Sequence, residues 1–176
     1  MTTQTNRPDK NSPTFRVKVQ ALPHCYKLPK KHSPGAAAFD LYASYDSEWT
    51  PVESDEGVTH CSMTYILHTH TVTRISTGVK IEIPKGYCGL VLPRSGLSTF
   101  NVAVANSPGL IDSDYRGEIF VAMKLIVPNQ NETYEIQTGE RIGQLLIFPA
   151  PVFELDEVKE LTATTRGEGS FGSTGK

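Results

Sequence analysis

Ile119, Val121, Met123, Leu125 and Val127 fall at every second position, and that spacing constrains the chain more than any other feature. A period of two places these side chains on one face of an extended segment, as in a strand that is buried on one side. The same period recurs in Phe15, Val17, Val19 and Ala21, and again in Val79, Ile81 and Ile83. That last run stops at the turn signal Pro84-Lys85-Gly86. The β-branched stretch from Tyr65 to Ile75 and the apolar runs Tyr87–Leu92, Arg141–Phe148 and Phe153–Val158 read as further strands. No segment carries a long 3.6-residue period. Many short strands punctuated by turn residues, with little helix, predict an all-β fold: a sandwich, jelly roll or small barrel.

Length and charge narrow the function. At 176 residues the chain fits one domain with its own core. Its 17 basic and 19 acidic side chains give a net charge of -2, which argues against nucleic-acid binding by bulk electrostatics. No run reaches the roughly 18 apolar residues of a membrane helix, so no membrane role is expected. The N-terminal run lacks the apolar stretch of a signal peptide, and Cys25, Cys61 and Cys88 share no close spacing, so a cytoplasmic location is expected. Residues 1–13 read as a disordered arm, 14–160 as the folded domain, and the Gly/Ser/Thr-rich 161–176 as a flexible C-terminal arm. The long polar segment 46–70 reads as an inserted loop or hairpin. His60, His68 and His70 lie near Cys61, yet no second ligand pair accompanies them, and solvent-facing strand residues are the simpler reading.

Three runs admit chemistry. In Leu92-Pro93-Arg94-Ser95-Gly96-Leu97-Ser98 a strand ends at proline, and Ser95 or its neighbour would cap one or two turns of helix. That is either an ordinary capped turn or a place where amides, Arg94 and the Ser95 hydroxyl meet phosphate. In Gly109-Leu110-Ile111-Asp112-Ser113-Asp114-Tyr115-Arg116-Gly117 the carboxylates make either an Asx turn or a general base. An extended backbone would turn Asp112 and Asp114 to opposite faces and so give them different tasks. In Gly139-Glu140-Arg141-Ile142-Gly143-Gln144 the amide of Gln144 stands among apolar neighbours, and an inward orientation would demand a polar partner. The tail run Gly167–Gly175 has the wrong glycine spacing for a phosphate loop of the GxxxxGK[ST] type.

Taken in order, these runs resemble the five motifs of the trimeric dUTP pyrophosphatase family. The first is Pro34-Gly35-Ala36-Ala37-Ala38-Phe39-Asp40-Leu41-Tyr42-Ala43, the second Pro93–Ser98 and the third Asn106–Gly117. The fourth is Gly139–Gln144 and the fifth Arg166–Gly175, which contains Phe171. The resemblance spans the chain from about Phe15 onward. It departs in the length of the connection carrying 46–70, and in Glu168, where small residues are common.

The resemblance implies a jelly-roll homotrimer with one short helix and shared active sites, hydrolysing dUTP to dUMP and pyrophosphate. It implies Asp112 as base for the attacking water, with Gln144 and Arg94 as the other catalytic residues. Arg94, Ser95, Gly96, Gln144, Arg166, Ser173 and Thr174 would hold phosphates. Asn106, Gly109, Ile111, Asp112, Tyr115 and Phe171 would line the uracil and deoxyribose site. Mg²⁺ would be carried mainly by the substrate phosphates, with Asp40 holding one of its waters. Asp114 becomes a structural partner rather than a second base. A dCTP deaminase of the same fold would need an acid/base glutamate beside the base, and none stands near Asn106 in the sequence. A non-catalytic binding module is the other alternative, and 46–70 is the candidate segment for a protein partner.

Overall fold

A computed structural model of the chain describes residues 15–45, 64–127 and 132–169. The strands are β1 Lys18–Ala21, β2 Phe39–Tyr42, β3 Thr64–His68, β4 Thr73–Glu82, β5 Tyr87–Leu92, β6 Val102–Val104, β7 Gly109–Ile111, β8 Glu118–Leu125, β9 Thr133–Gln137 and β10 Arg141–Pro149. One helical turn, α1, spans Ser95–Ser98. Two four-stranded sheets, ordered β1-β4-β8-β6 and β2-β10-β5-β7, face each other in a jelly-roll sandwich, and a ribbon of β3 and β9 completes it. The named strand pairs are all antiparallel.

The period of two does what it predicts in β8. Ile119, Val121, Met123 and Leu125 are buried, and the residues between them are not. They join Ile75 of the neighbouring strand and, across the interior, Leu41, Ile142 and Leu145 in one core. The β3–β9 ribbon closes one end, with Leu67 and Ile136 fully buried and the Tyr65 hydroxyl donating to the Ser44 carbonyl at 2.7 Å.

The structure corrects several expectations. Residues 64–68 lie both in the stretch read as a strand from Tyr65 and in the segment read as an inserted loop or hairpin; they form β3, whose partner is the distant β9 rather than a neighbour within the segment. Residues 46–63, and with them His60 and Cys61, lie outside the described residues, as do 1–14. Phe153–Val158 is not a strand: Val152, Phe153 and Leu155 stand almost bare, because no sheet edge of this chain lies beside them. Ser95 is not a cap. The N-cap position is Arg94, whose side chain makes no capping hydrogen bond.

One irregularity matters later. Between Ser76 and Lys80 the β4–β8 register shifts, and Gly78 sits at the shift with φ +65. A Cβ at Gly78 would overlap the Cys25 backbone, so both conformation and space call for glycine. Thr77 secures the bulge from inside, its hydroxyl donating to the Ile119 carbonyl at 2.6 Å. Gly78→Ala is therefore expected to destabilise the fold by roughly 2 kcal/mol or more, read from the urea unfolding midpoint, since Ala is disfavoured at positive φ and overpacks here.

Candidate active site

Strand β10 lies between β2 and β5, and its register sets Gln144 opposite both Asp40 and Leu92. The first and fourth motifs therefore meet side by side, and the second begins where β5 ends. A bulge between Arg141 and Gly143 adjusts the face presented. Ile142 and Leu145 are three residues apart and would point to opposite faces of a regular strand, yet both are buried in the core. The extra residue leaves Arg141 facing outward toward Asp40.

Asp40 is only 7% exposed. Its Oδ1 lies 3.5 Å from Arg94 Nε, and its Oδ2 lies 3.3 Å from an Arg141 terminal nitrogen. A terminal nitrogen of Arg94 also donates to the Arg141 carbonyl at 3.0 Å. Arg94 Nε is buried and makes no hydrogen bond, so its approach to Asp40 is a charge contact without directed donation. The same Arg141 nitrogen lies 3.4 Å from His32 Nδ1. Above this network opens a cleft of about 490 Å³, lined by Lys27, His32, Tyr42, Arg94, Glu140 and Arg141 among others. Three fixed cations face one carboxylate in the lining, so the cleft favours an anion. Ser95 and Gly96 are exposed at its edge. Arg141, Lys27 and His32 were not assigned from the sequence. Arg141 alone had a signal, its place in Gly139–Gln144.

A second cleft, of about 350 Å³, gathers the third motif: Asn106, Ile111, Asp112 and Tyr115, with Arg74, Glu118 and Phe120 as part of the floor. Strand β7 carries this motif beside β5, and Gly109 leaves room for the Asn106 amide, which lies 3.2 Å from where a Cβ would stand. Residues 112–114 turn rather than extend, and the Tyr115 amide donates to the Asp112 carbonyl at 3.2 Å, so the alternating-face argument for Asp112 and Asp114 does not apply. Both carboxylates are exposed in the single chain. Tyr115 folds back so that its hydroxyl donates to the Glu118 carbonyl at 2.8 Å, and Gly117 is small enough to admit the ring. The fold also brings Glu118 into the cleft of Asn106, where the sequence showed no nearby glutamate. Its Oε1 is already committed to hydrogen bonds from Ser76, the Gly78 amide and His24.

The two clefts share no lining residue. The β5–β7 register explains the separation. Ile111 lies opposite Gly89, so Asp112 continues away from Leu92, and about 10 Å of strand intervenes before Pro93 leads to Arg94. The described part of the tail, residues 161–169, lines neither cleft. Arg166 closes a local turn, its Nε donating to the Gly169 carbonyl at 3.2 Å, and the side chains around it are exposed. Phe171, Ser173 and Thr174 lie outside the described residues. A third groove, over the β1–β4 edge, holds Lys18, Glu82 and Arg116 and none of the expected site residues. Burial pushes the Cys25 thiol above its ordinary value, with the charge of Glu118 adding to the effect, so this thiol is not poised as a nucleophile.

The dUTPase family model matches residues 59–175. A deoxyuridine 5'-triphosphate nucleotidohydrolase of Anaplasma marginale is 39% identical over 164 residues, covering 92% of this chain and 99% of that relative. One from Dictyoglomus turgidum is 40% identical over 163 residues, with 92% and 99% covered. Among solved structures, Staphylococcus bacteriophage 80alpha dUTPase with dUpNHpp superposes with a TM-score of 0.73 at 25% identity, over 93% of this chain and all of that one. A mutant of the same phage enzyme, also with dUpNHpp, gives 0.72 at 26% identity with the same coverage.

The asymmetry of the arginine network is open to measurement. Asp40→Ala leaves the half-buried Arg94, with its buried Nε, without its counter-charge and is expected to cost about 3 kcal/mol in urea unfolding. Arg141→Ala removes a side chain that is 38% exposed and is expected to cost clearly less.

Proposed function

The chain belongs to the dUTPase family, and on that footing we propose that it hydrolyses dUTP to dUMP and pyrophosphate, limiting uracil incorporation into DNA and supplying dUMP for dTMP synthesis. The observation that supports this reading is the division of the motifs between two clefts, an electropositive one with Arg94 and another with Asn106, Asp112 and Tyr115.

In the first half-site Arg94, Ser95 and Gly96 hold the phosphates, and Gln144 positions the α-phosphate and the water. A triphosphate carries close to four negative charges, and the leaving pyrophosphate gathers more, so fixed donors matter most there. In the second half-site the Asn106 amide offers a donor and an acceptor to one edge of uracil. A cytosine amine would leave one of those groups mismatched. Gly109 and Ile111 wall the base, and Tyr115 lies against the sugar where a 2′-hydroxyl would need room. Asp112 takes the proton of the attacking water as its oxygen bonds the α-phosphorus and the bond to the β-phosphate breaks. The tail of a further copy brings Arg166, Ser173 and Thr174 to the phosphates and stacks Phe171 on uracil.

One chain does not bring these halves together, and Val152, Phe153 and Leu155 lie bare beyond β10. Both features support a homotrimer whose sites are shared between copies. Mg²⁺ travels with the triphosphate and neutralises its charge. No group of three or more His, Cys, Asp or Glu able to hold a metal occurs among the described residues, and a single buried carboxylate, Asp40, suits a water of a hydrated ion rather than a bare one. Among the described residues no helix is long and apolar enough to cross a membrane, and the reading places the enzyme in the cytoplasm. Segment 46–70 remains the candidate for a protein partner, and no nucleic acid is involved.

Pyrophosphate release across dUTP, dCTP, dTTP and UTP tests the activity: dUTP alone should turn over, and ammonia from dCTP would overturn the reading. Asp112→Asn is expected to lower kcat by roughly 10²- to 10⁴-fold, the usual share of a general base, with dUTP binding retained in calorimetry. Truncation after Thr165 is expected to remove most activity while light scattering still reports a trimer.

A further inference from the structure

Glu118 lies outside the expected site, yet it is the most heavily engaged carboxylate among the described residues. Its side chain is 11% exposed. The Oε1 atom accepts from the Ser76 hydroxyl, from the Gly78 amide at 2.7 Å and from His24 Nε2 at 3.3 Å. His24 Nε2 also lies 3.1 Å from the Ser76 oxygen. Ser76 gives its proton to Glu118, so His24 must carry one on Nε2, directed at both oxygens. Three separate parts of the chain converge here: the loop after β1, the bulge in β4 and the first residue of β8.

The other end of Glu118 faces the nucleoside cleft. Its backbone carbonyl receives the Tyr115 hydroxyl at 2.8 Å, and Glu118 lines the same cleft as Asn106, Asp112 and Tyr115. Tyr115 is 40% exposed and hangs on a turn whose other contacts are local. One residue beyond Gly117 the turn is anchored by Glu118, through the pairing of its backbone with Lys80 and through its carboxylate. A turn held only by its own backbone would let the ring move by enough to admit an extra hydroxyl, and a carboxylate held by three donors prevents it.

We propose that Glu118, clamped by His24, Ser76 and the Gly78 amide, is a positioning residue that fixes Tyr115 against the sugar and thereby sets the discrimination between deoxyribose and ribose triphosphates. The proposal rests on the reading of the chain as a dUTP hydrolase with Tyr115 at the sugar. It predicts that loss of the clamp relaxes selectivity between the two sugars.

The test is the ratio of kcat/KM for dUTP to that for UTP, measured in the full-length protein. Glu118→Ala is expected to reduce the ratio on the order of tenfold, the worth of one or two hydrogen bonds. Glu118→Gln should restore most of it, because the amide oxygen still accepts from Ser76 and Gly78. His24→Ala, a change in a surface loop, should shift the ratio in the same direction by less, and carries the test if Glu118→Ala does not fold. The double variant Tyr115→Ala with Glu118→Ala should lose no more selectivity than Tyr115→Ala alone. A clamp variant that lowers both substrates by one common factor, or a double variant whose losses multiply, overturns the proposal. A wild-type chain inactive toward dUTP would instead sink the functional reading on which it rests.

Discussion

The pairing of β10 with β2 on one side and β5 on the other governs everything chemical in this molecule. Because the three strands share one register, Asp40, Gln144 and Leu92 fall in a row across the sheet, although they are far apart in the chain. The bulge at Arg141–Gly143 then divides labour within β10. Ile142 and Leu145 anchor the strand in the core, while Arg141 and Gln144 remain available on the outer side. An arginine cluster placed this way needs a counter-charge, and the buried Asp40 supplies it. The cost of burying that carboxylate is offset only because two guanidiniums face it, and the excess positive charge is left pointing into the cleft.

The same sheet keeps the nucleoside half-site away. Strand β7 runs antiparallel to β5, so each residue that extends the third motif carries it farther from Arg94. A single jelly roll built on this register keeps the cleft at Arg94 and the cleft at Asp112 apart. The proposed activity then calls for association between copies. The bare apolar side chains after β10 fit that requirement, since a monomer would expose them at a continuing cost. The Glu118 clamp has its place in the same scheme. It ties the turn of Tyr115 to strands β4 and β8 within one chain.

Much of this was legible in the residues. The alternation of Ile119 to Leu125 reported a half-buried strand correctly, because side-chain direction in a strand depends only on local backbone geometry. The five runs in order pointed to the family, since each keeps the residue types its chemistry demands. Other elements were misread for identifiable reasons. Residues 64–68 carry ordinary strand residues, yet their pairing with β9 crosses more than sixty positions, and no local signal encodes that partner. Phe153–Val158 carries a strand-like pattern but lacks an adjacent edge, which only the sheet order reveals. Ser95 has the chemistry of a cap and stands one position too late to serve as one.

The sequence by itself determined the fold class and the family, because periodicity and residue chemistry are properties of short stretches. Tertiary structure alone decided which side chains meet. It set Arg141 on Asp40, brought Glu118 beneath Tyr115, and separated Asp112 from Arg94. Those outcomes depend on strand register and on two irregularities, of which the one in β10 inserts a single residue and so changes which face a side chain serves. Register is settled by the packing of the whole core, so it is written nowhere in particular along the chain.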